Sequence, residues 1–308
     1  MAVITSSSLV AAQESYQTLF WEGHENFEME MIDKCLRTVP SSQDIEDYQG
    51  MGAIPRMREW IGDRVVQQLR GMSYRLENIT WELTIGVPRE RFDDDRLGNF
   101  AMRFSQMGNS AATHPAQLLS EIRVNGETEK CYDDKAFFST NHEEGRSGVQ
   151  SNLVTGTGAS KAQIYADIGT AVNRIVGFKN DQGQPLRPFV MLQPKMFLIT
   201  CPPELFSTFS GIMEQEMLFN GESNQWRNYY DLVSDARLAD ANDWYIELVN
   251  MMDKPYLKQE RRELSFFSLQ NPMNDEVVRY KNEYQFCADA RYNIGYYLWQ
   301  GAVKVKNN

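Results

Sequence analysis

The chain has 308 residues, 42 % hydrophobic and 24 % charged, a balance typical of folded proteins and enough length for one large domain or two modest ones, which excludes a disordered tail or a repeat array. No stretch approaches the roughly 18 consecutive apolar residues needed to span a bilayer, since the best candidate, FVMLQPKMFLIT, is interrupted by Pro194 and Lys195. The formal net charge of -11 argues against specific nucleic-acid binding, which depends on neutralising phosphates.

In chain order, the start MAVITSSSLVAAQES lacks the basic region of a signal peptide, so the expected compartment is the cytoplasm where the chain is made. Ser8 is placed to cap a helix whose apolar residues Leu9, Ala12, Tyr16, Leu19 and Phe20 recur at helical spacing, with Trp21 and Phe27 extending the surface. So short a helix is marginal alone and must dock on the same chain or a neighbour. Residues 1 to 54 hold nine acids (Glu14, Glu22, Glu25, Glu28, Glu30, Asp33, Asp44, Glu46, Asp47) against Lys34 and Arg37. That is a solvated acidic face or an arm that meets a basic partner. From Tyr48 to Gly71 the pattern is irregular: Gly50, Gly52 and Pro55 precede REWIGDR (Arg58 to Arg64) and VVQQLRG, which reads as a long excursion. YRLENITWELTIGVP (Tyr74 to Pro88) then alternates with period two and is rich in β-branched and aromatic residues, which predicts strand.

Asp93, Asp94 and Asp95 precede apolar positions that hold helical phase from Leu97 to Ile122 and stop at Asn125 and Gly126. This predicts one helix of roughly 45 Å at about 1.5 Å per residue, bent at Pro115. Capping and the helix dipole explain the three acids more simply than a metal cluster does. SNLVTGTGAS reads as a passage into a second lobe; GTGASK lacks the ending of a phosphate loop and no clear strand feeds it. Ser160 caps a helix carrying Ile164, Ile168, Ala171, Val172 and Ile175, closed by Gly177. After a turn at Asn180 to Gly183 come the apolar segments PFVML and MFLIT, and Pro203 suits the first turn of a helix through Leu218. YYDLVSDARL and DWYIELV predict strands joined by an Ala-Asp-Ala-Asn turn, and EVVRYKNEYQFCADARYNIGYYLWQGAVKV predicts one or two long strands built into a sheet.

Chemistry is sparse. His24, His114 and His142 are far apart, and the sequence has no HExxH, GxSxG, Walker or Rossmann pattern. His142, in STNHEEG, is expected to be a solvated loop residue rather than a general base. Cys35, Cys131, Cys201 and Cys287 form no CxxC pair and are expected to be reduced and structural. The expectation is no catalytic residue, no cofactor and no metal. A docking helix, an Arg-rich excursion, a long helix and a two-lobed remainder suit assembly better than catalysis.

At REWIGDR, followed by YRLENITWELTIGVPRERFDDDRLG, the sequence resembles the Mu-like phage major head subunit (T protein) family. The resemblance continues through HPAQLL (His114 to Leu119), CYDDKAFFSTNH (Cys131 to His142), SNL (Ser151 to Leu153), LADANDWYI (Leu238 to Ile246) and ADARYNIGYYLWQGA (Ala288 to Ala302), and so covers nearly the whole chain. It implies an α+β class and the Hong Kong 97-type capsid fold. The implied parts are an N-terminal arm (1 to 47), an extended loop or E-loop (48 to 86), a peripheral domain with a long spine helix (87 to 155) and an axial domain (156 to 264). Residues 265 to 308 would return to the peripheral domain and end in the axial domain.

The resemblance further implies a tailed-phage capsid protein that assembles with itself as hexamers and pentamers into an icosahedral shell around double-stranded DNA. It sits in the virion capsid, and in the host cytoplasm during assembly. A scaffold protein, a maturation protease and a portal would act during assembly, with a decoration protein as a further partner; DNA would be contacted non-specifically and membrane not at all. The alternative is an encapsulin-like shell of the same fold around a cargo enzyme. The founding member of the fold cross-links its shell through an E-loop lysine, whereas this chain has no lysine from Met51 to Phe92. Arginine's planar fork pairs with carboxylates instead. Candidate inter-subunit contacts are therefore Arg56, Arg58, Glu59, Trp60, Asp63, Arg64 and Arg70, with Phe20 and Trp21 from the arm.

Overall fold

A computed structural model describes residues 6–27, 33–49, 73–90, 99–191, 193–217, 221, 223–249, 254–268 and 280–307. Two helices cross near the N-terminal side: α1 (Ser6–Glu25) and α2 (Asn99–Asn125). Their backbones touch at two glycines. A Cβ on Gly23 would lie 2.0 Å from the Ser105 carbonyl oxygen, and one on Gly108 would lie 1.9 Å from that of Phe20, so only glycine allows this approach. The ring of Tyr16 stacks on Phe104 at 4.2 Å. The docking partner of the first helix is thus its own chain. The helix is already under way at Ser6, so Ser8 lies within it and does not cap it.

Both helices cover a four-stranded sheet of order β1 (Leu36–Pro40), β11 (Tyr256–Ser268), β12 (Glu283–Tyr296) and β4 (Ile79–Pro88), in which β1 runs parallel to β11 and the other pairs are antiparallel. The sealed layer between them contains Phe20, Val87, Phe104, Met107, Phe266, Tyr284 and Phe286. A separate antiparallel pair, β2 (Ile45–Gln49) and β3 (Ser73–Glu77), flanks the excursion. The alternation from Tyr74 to Pro88 is therefore two strands, not one. They part at buried Asn78, whose Nδ2 donates to Ser41 Oγ at 2.7 Å and to the Gln43 carbonyl at 2.6 Å. The boundary expected at residue 86 falls inside β4, and the one at 264 falls inside β11.

The second sheet has five strands in the order β7 (Leu153–Thr155), β13 (Ala302–Lys306), β10 (Trp244–Leu248), β8 (Phe197–Cys201) and β9 (Tyr230–Ser234). Helices α3 (Lys161–Gly177) and α4 (Pro203–Glu214) accompany it, and a small hairpin pairs β5 (His142–Glu143) with β6 (Val149–Gln150). Gln163 closes the start of α3, its Oε1 accepting from the Ser160 amide at 3.2 Å and hydroxyl at 2.5 Å. α4 ends at Glu214, short of Leu218. β9 and β10 are not a hairpin on the expected four-residue turn: nine residues, 235 to 243, connect them, and β8 lies between, parallel to β9 and antiparallel to β10. Every residue of β8 and β10 is buried, so both faces of this sheet are covered. The whole is α+β.

Candidate functional site

The segments that stood out in the sequence converge on buried polar joints. Arg123, in the last turn of α2, forms a two-pronged bond with Glu247 of β10: Nε donates to Oε1 at 2.7 Å and Nη2 to Oε2 at 2.6 Å. Their side chains are 3 % and 0 % exposed. Tyr256 of β11 donates to the same Oε1 at 2.8 Å. Burial works against the Arg123 charge, but the Glu247 carboxylate and its hydrogen bonds outweigh it and hold the guanidinium well above its ordinary pKa. The long helix is thereby tied to both sheets at one point. One turn earlier the Ser120 hydroxyl bonds the carboxylate of Asp235 beyond β9, and the Tyr296 hydroxyl of β12 donates to the Ile122 carbonyl at 2.7 Å.

A second joint gathers CYDDKAFFSTNH, SNL and LWQGA. His142 is fully buried, with Nδ1 2.6 Å from Asp133 Oδ2 and Nε2 3.1 Å from Asn152 Oδ1. Its ring lies parallel to Trp299 at 4.1 Å. Beside it Glu144 Oε1 accepts from the Tyr132 hydroxyl at 2.5 Å, Trp299 Nε1 at 2.9 Å and Gln300 Nε2 at 2.9 Å; burial raises the Glu144 pKa, and these bonds oppose that rise. His142 is therefore not a solvated loop residue. It is sealed from solvent and bonded to Asp133, Phe137 and Asn152, so it knits loops together.

At a third joint Lys304 of β13 lies 2.5 Å from Glu127 and 2.9 Å from Asp243, and Lys306 bonds the other oxygen of Glu127 at 2.8 Å. The glycine-rich GTGASK follows strand β7 after all, but its loop is filled by the chain's own carboxylate. The Thr157 amide and hydroxyl donate to Asp167 at 2.8 and 3.0 Å, so these donors are already engaged within the chain.

Among the described residues no group of three or more His, Cys, Asp or Glu is placed to hold a metal, and no described helix is long and apolar enough to cross a membrane. None of the four cysteines is in a disulfide, and all are buried. Burial pushes the Cys201 thiol up to about 12 and raises Cys35 and Cys131 too, away from reactive thiolate character. A cleft of about 480 Å³ between α1, α2 and the four-stranded sheet is lined by Trp21, His24, Trp81, His114, Lys258 and Tyr292. There His114 Nδ1 is 2.6 Å from the Tyr292 hydroxyl and its ring lies against Trp81.

Of the expected contact residues, Arg56, Arg58, Glu59, Trp60, Asp63, Arg64 and Arg70, like Asp93 to Asp95, lie outside the described residues. Trp21 is half-buried beside the cleft. Phe20 is fully buried between α1 and the sheet, so its side chain offers no surface to another copy. The sequence reading missed Arg123 and Glu247. For Glu247 the signal is a charge inside the otherwise apolar run WYIEL; Arg123, in LLSEIRVN, carries no such signal.

The family described as Mu-like prophage major head subunit gpT matches residues 9–167 and 233–308. The major capsid protein of Escherichia phage Mu is 28 % identical over 306 residues, which is 99 % of this chain and 76 % of that protein. The Mu-like prophage FluMu major head subunit of Haemophilus influenzae is 22 % identical over 268 residues, 87 % of this chain and 63 % of its relative. Among solved structures, the procapsid of bacteriophage JBD30 superposes with a TM-score of 0.59 at 22 % identity, covering 99 % of this chain and 77 % of its own.

Proposed function

Because the chain belongs to the Mu-like prophage major head subunit gpT family, we propose that it builds, as hexamers and pentamers, a closed icosahedral shell around double-stranded DNA. It is a major capsid protein of a tailed phage with the Hong Kong 97-type fold, it forms the virion capsid, and its first partner is itself. The family is one of structural capsid proteins, not of enzymes. The observation that carries the reading is the family match across both sheets, with the shared motifs meeting in buried joints. A protein built from such joints holds a shape and carries load.

In this reading α1, α2 and the four-stranded sheet are the peripheral domain, α2 is its spine, and the five-stranded sheet with α3 and α4 is the axial domain. β2 and β3 are the stem of the E-loop, whose arginines pair with carboxylates of neighbouring subunits. The axial domain takes residues 153 to 249 together with β13, and the peripheral domain takes β11 from Tyr256, so the boundaries shift from 86 and 264 to the ends of strands. Assembly in the host cytoplasm uses a separate scaffold, protease and portal, and a decoration protein is a further partner. No catalysis is assigned. The net charge of -11 suits a wall past which DNA must slide without adhering.

Electron microscopy of the purified protein tests this: closed or polymorphic shells are expected. A stable monomer or dimer under all assembly conditions would overturn it, and native particles enclosing an enzyme in place of DNA would replace it with a cargo shell.

A further inference from the structure

Small residues hold open the cleft between α1, α2 and the four-stranded sheet. On the face of β12 that the helices cover, Ala288 and Ala290 stand between Phe286 and Tyr292, and Ser110 and Ala111 of α2 line the same space. Its volume of about 480 Å³ lies in the range of ligand sites. The walls are aromatic. Trp81 lies against His114 with ring centroids 4.4 Å apart, and Trp21 and His24 line the α1 side. The Lys258 ammonium sits 5.4 Å from the centre of the Tyr292 ring, so one cation already rests on an aromatic face here.

The lining is also short of positive charge. Lys258 pairs with Glu260 at 3.1 Å, whereas Asp33 and Glu263 line the cleft and take part in no ion pair among the described residues. Desolvation raises the Asp33 pKa in spite of Lys258 and Lys254; a closer cation would lower it. Burial lowers the pKa of both His24 and His114, so neither adds a charge at neutral pH.

We propose that this cleft receives an arginine side chain from a second copy of this chain. The inference rests on the head-subunit reading and adds the socket in which copies meet. The choice of arginine follows from the site, since aromatic walls stack a guanidinium and the two unpaired carboxylates accept from its fork. The choice of a second copy follows from charge. Residues 51 to 72 carry Arg56, Arg58, Arg64 and Arg70 against Glu59 and Asp63, in a chain whose net charge is -11. The chain that bears a negative socket thus bears a segment of the opposite sign. A ring of identical subunits needs two unlike surfaces that fit each other, one of each per copy, and the cleft and this segment are such a pair.

The test places a photo-crosslinking residue, benzoylphenylalanine, at Ser110, which lines the cleft and carries no charge. Irradiation of assembled particles is expected to give a band at twice the 35.6 kDa chain mass, with the joined peptide drawn from residues 51 to 72. A cross-link within one chain, to another segment or to another particle protein, or none in intact shells, overturns the proposal; so does a small amine found in the cleft in place of protein. The charge-reversed variant D33K/E263K is expected to keep the wild-type circular dichroism and melting temperature and to lose shell yield by about tenfold or more, because the contact recurs by symmetry. Wild-type yield would also overturn the proposal. Should the reversed variant fail to fold, the neutral variant D33N/E263Q is read against the same two outcomes. If the unaltered chain forms no shells at all, the head-subunit reading fails instead, so the two failures are distinguishable.

Discussion

Arg123 and Glu247 face each other across 124 positions of sequence, and each neutralises the other's buried charge. Removing one partner leaves an uncompensated buried charge, which typically costs about 3–5 kcal/mol. Arg123→Met and Glu247→Leu are each expected to lose that much in urea unfolding, and the double variant Arg123→Met/Glu247→Leu much less than their sum; additive losses would show that the pair is not coupled. His114 gives a pH signature. Burial in the cleft lowers its pKa below the ordinary 6.5, against a smaller opposing effect of Glu121. A depressed folded value means that the unfolded chain takes up the proton first, so this contribution is intact above about 6.5 and is lost as pH falls below it. Desolvation shifts buried Glu144 and surface Asp33 the opposite way, so the comparison must be by difference. Between pH 7.5 and 5, His114→Gln is expected to lose less melting temperature than wild type, and equal slopes would refute the assignment.

Elements were more legible than their neighbours. The helical spacing of Ile164 to Ile175 and the apolar run Phe197 to Cys201 depend on local pattern, and α3 and β8 stand where that pattern puts them. The break at Asn78 was not legible, because period-two alternation continues through a residue that changes sheet. Nor was the separation of β9 from β10: strands expected to run to Leu238 and from Asp243 leave a four-residue connection that reads as a hairpin, whereas β9 ends at Ser234. The arginines of the excursion remain a matter of sequence. The crossing of α1 and α2 is where one atom decides an element's position. Gly108→Ala puts a methyl into the Phe20 carbonyl, at an expected cost of about 1–3 kcal/mol. Chymotrypsin should then cut at Tyr16 and Phe20 where wild type resists; unchanged resistance would show that the helices can separate without loss.

At the scale of the whole molecule, the lysine-free stretch from Met51 to Phe92 predicts a shell without covalent cross-links of the lysine type. Boiled particles should run on a denaturing gel at the 35.6 kDa monomer mass, and a ladder of oligomers would contradict this. Exposed ion pairs are worth only about 0–1 kcal/mol each, so strength must come from many contacts repeated by symmetry.

The order in which the two sheets are completed sets a further condition. β12 lies between β11 and β4, and β13 lies between β7 and β10, so residues 283 to 306 supply an inner strand to each sheet. The four-stranded sheet cannot close before Tyr296 is made, nor the five-stranded one before Lys306, and both wait on contacts distant in sequence, which fold slowly. A chain that lacks residues 283 to 306 is therefore two sheets with their middles missing, with no finished surface to offer a neighbour.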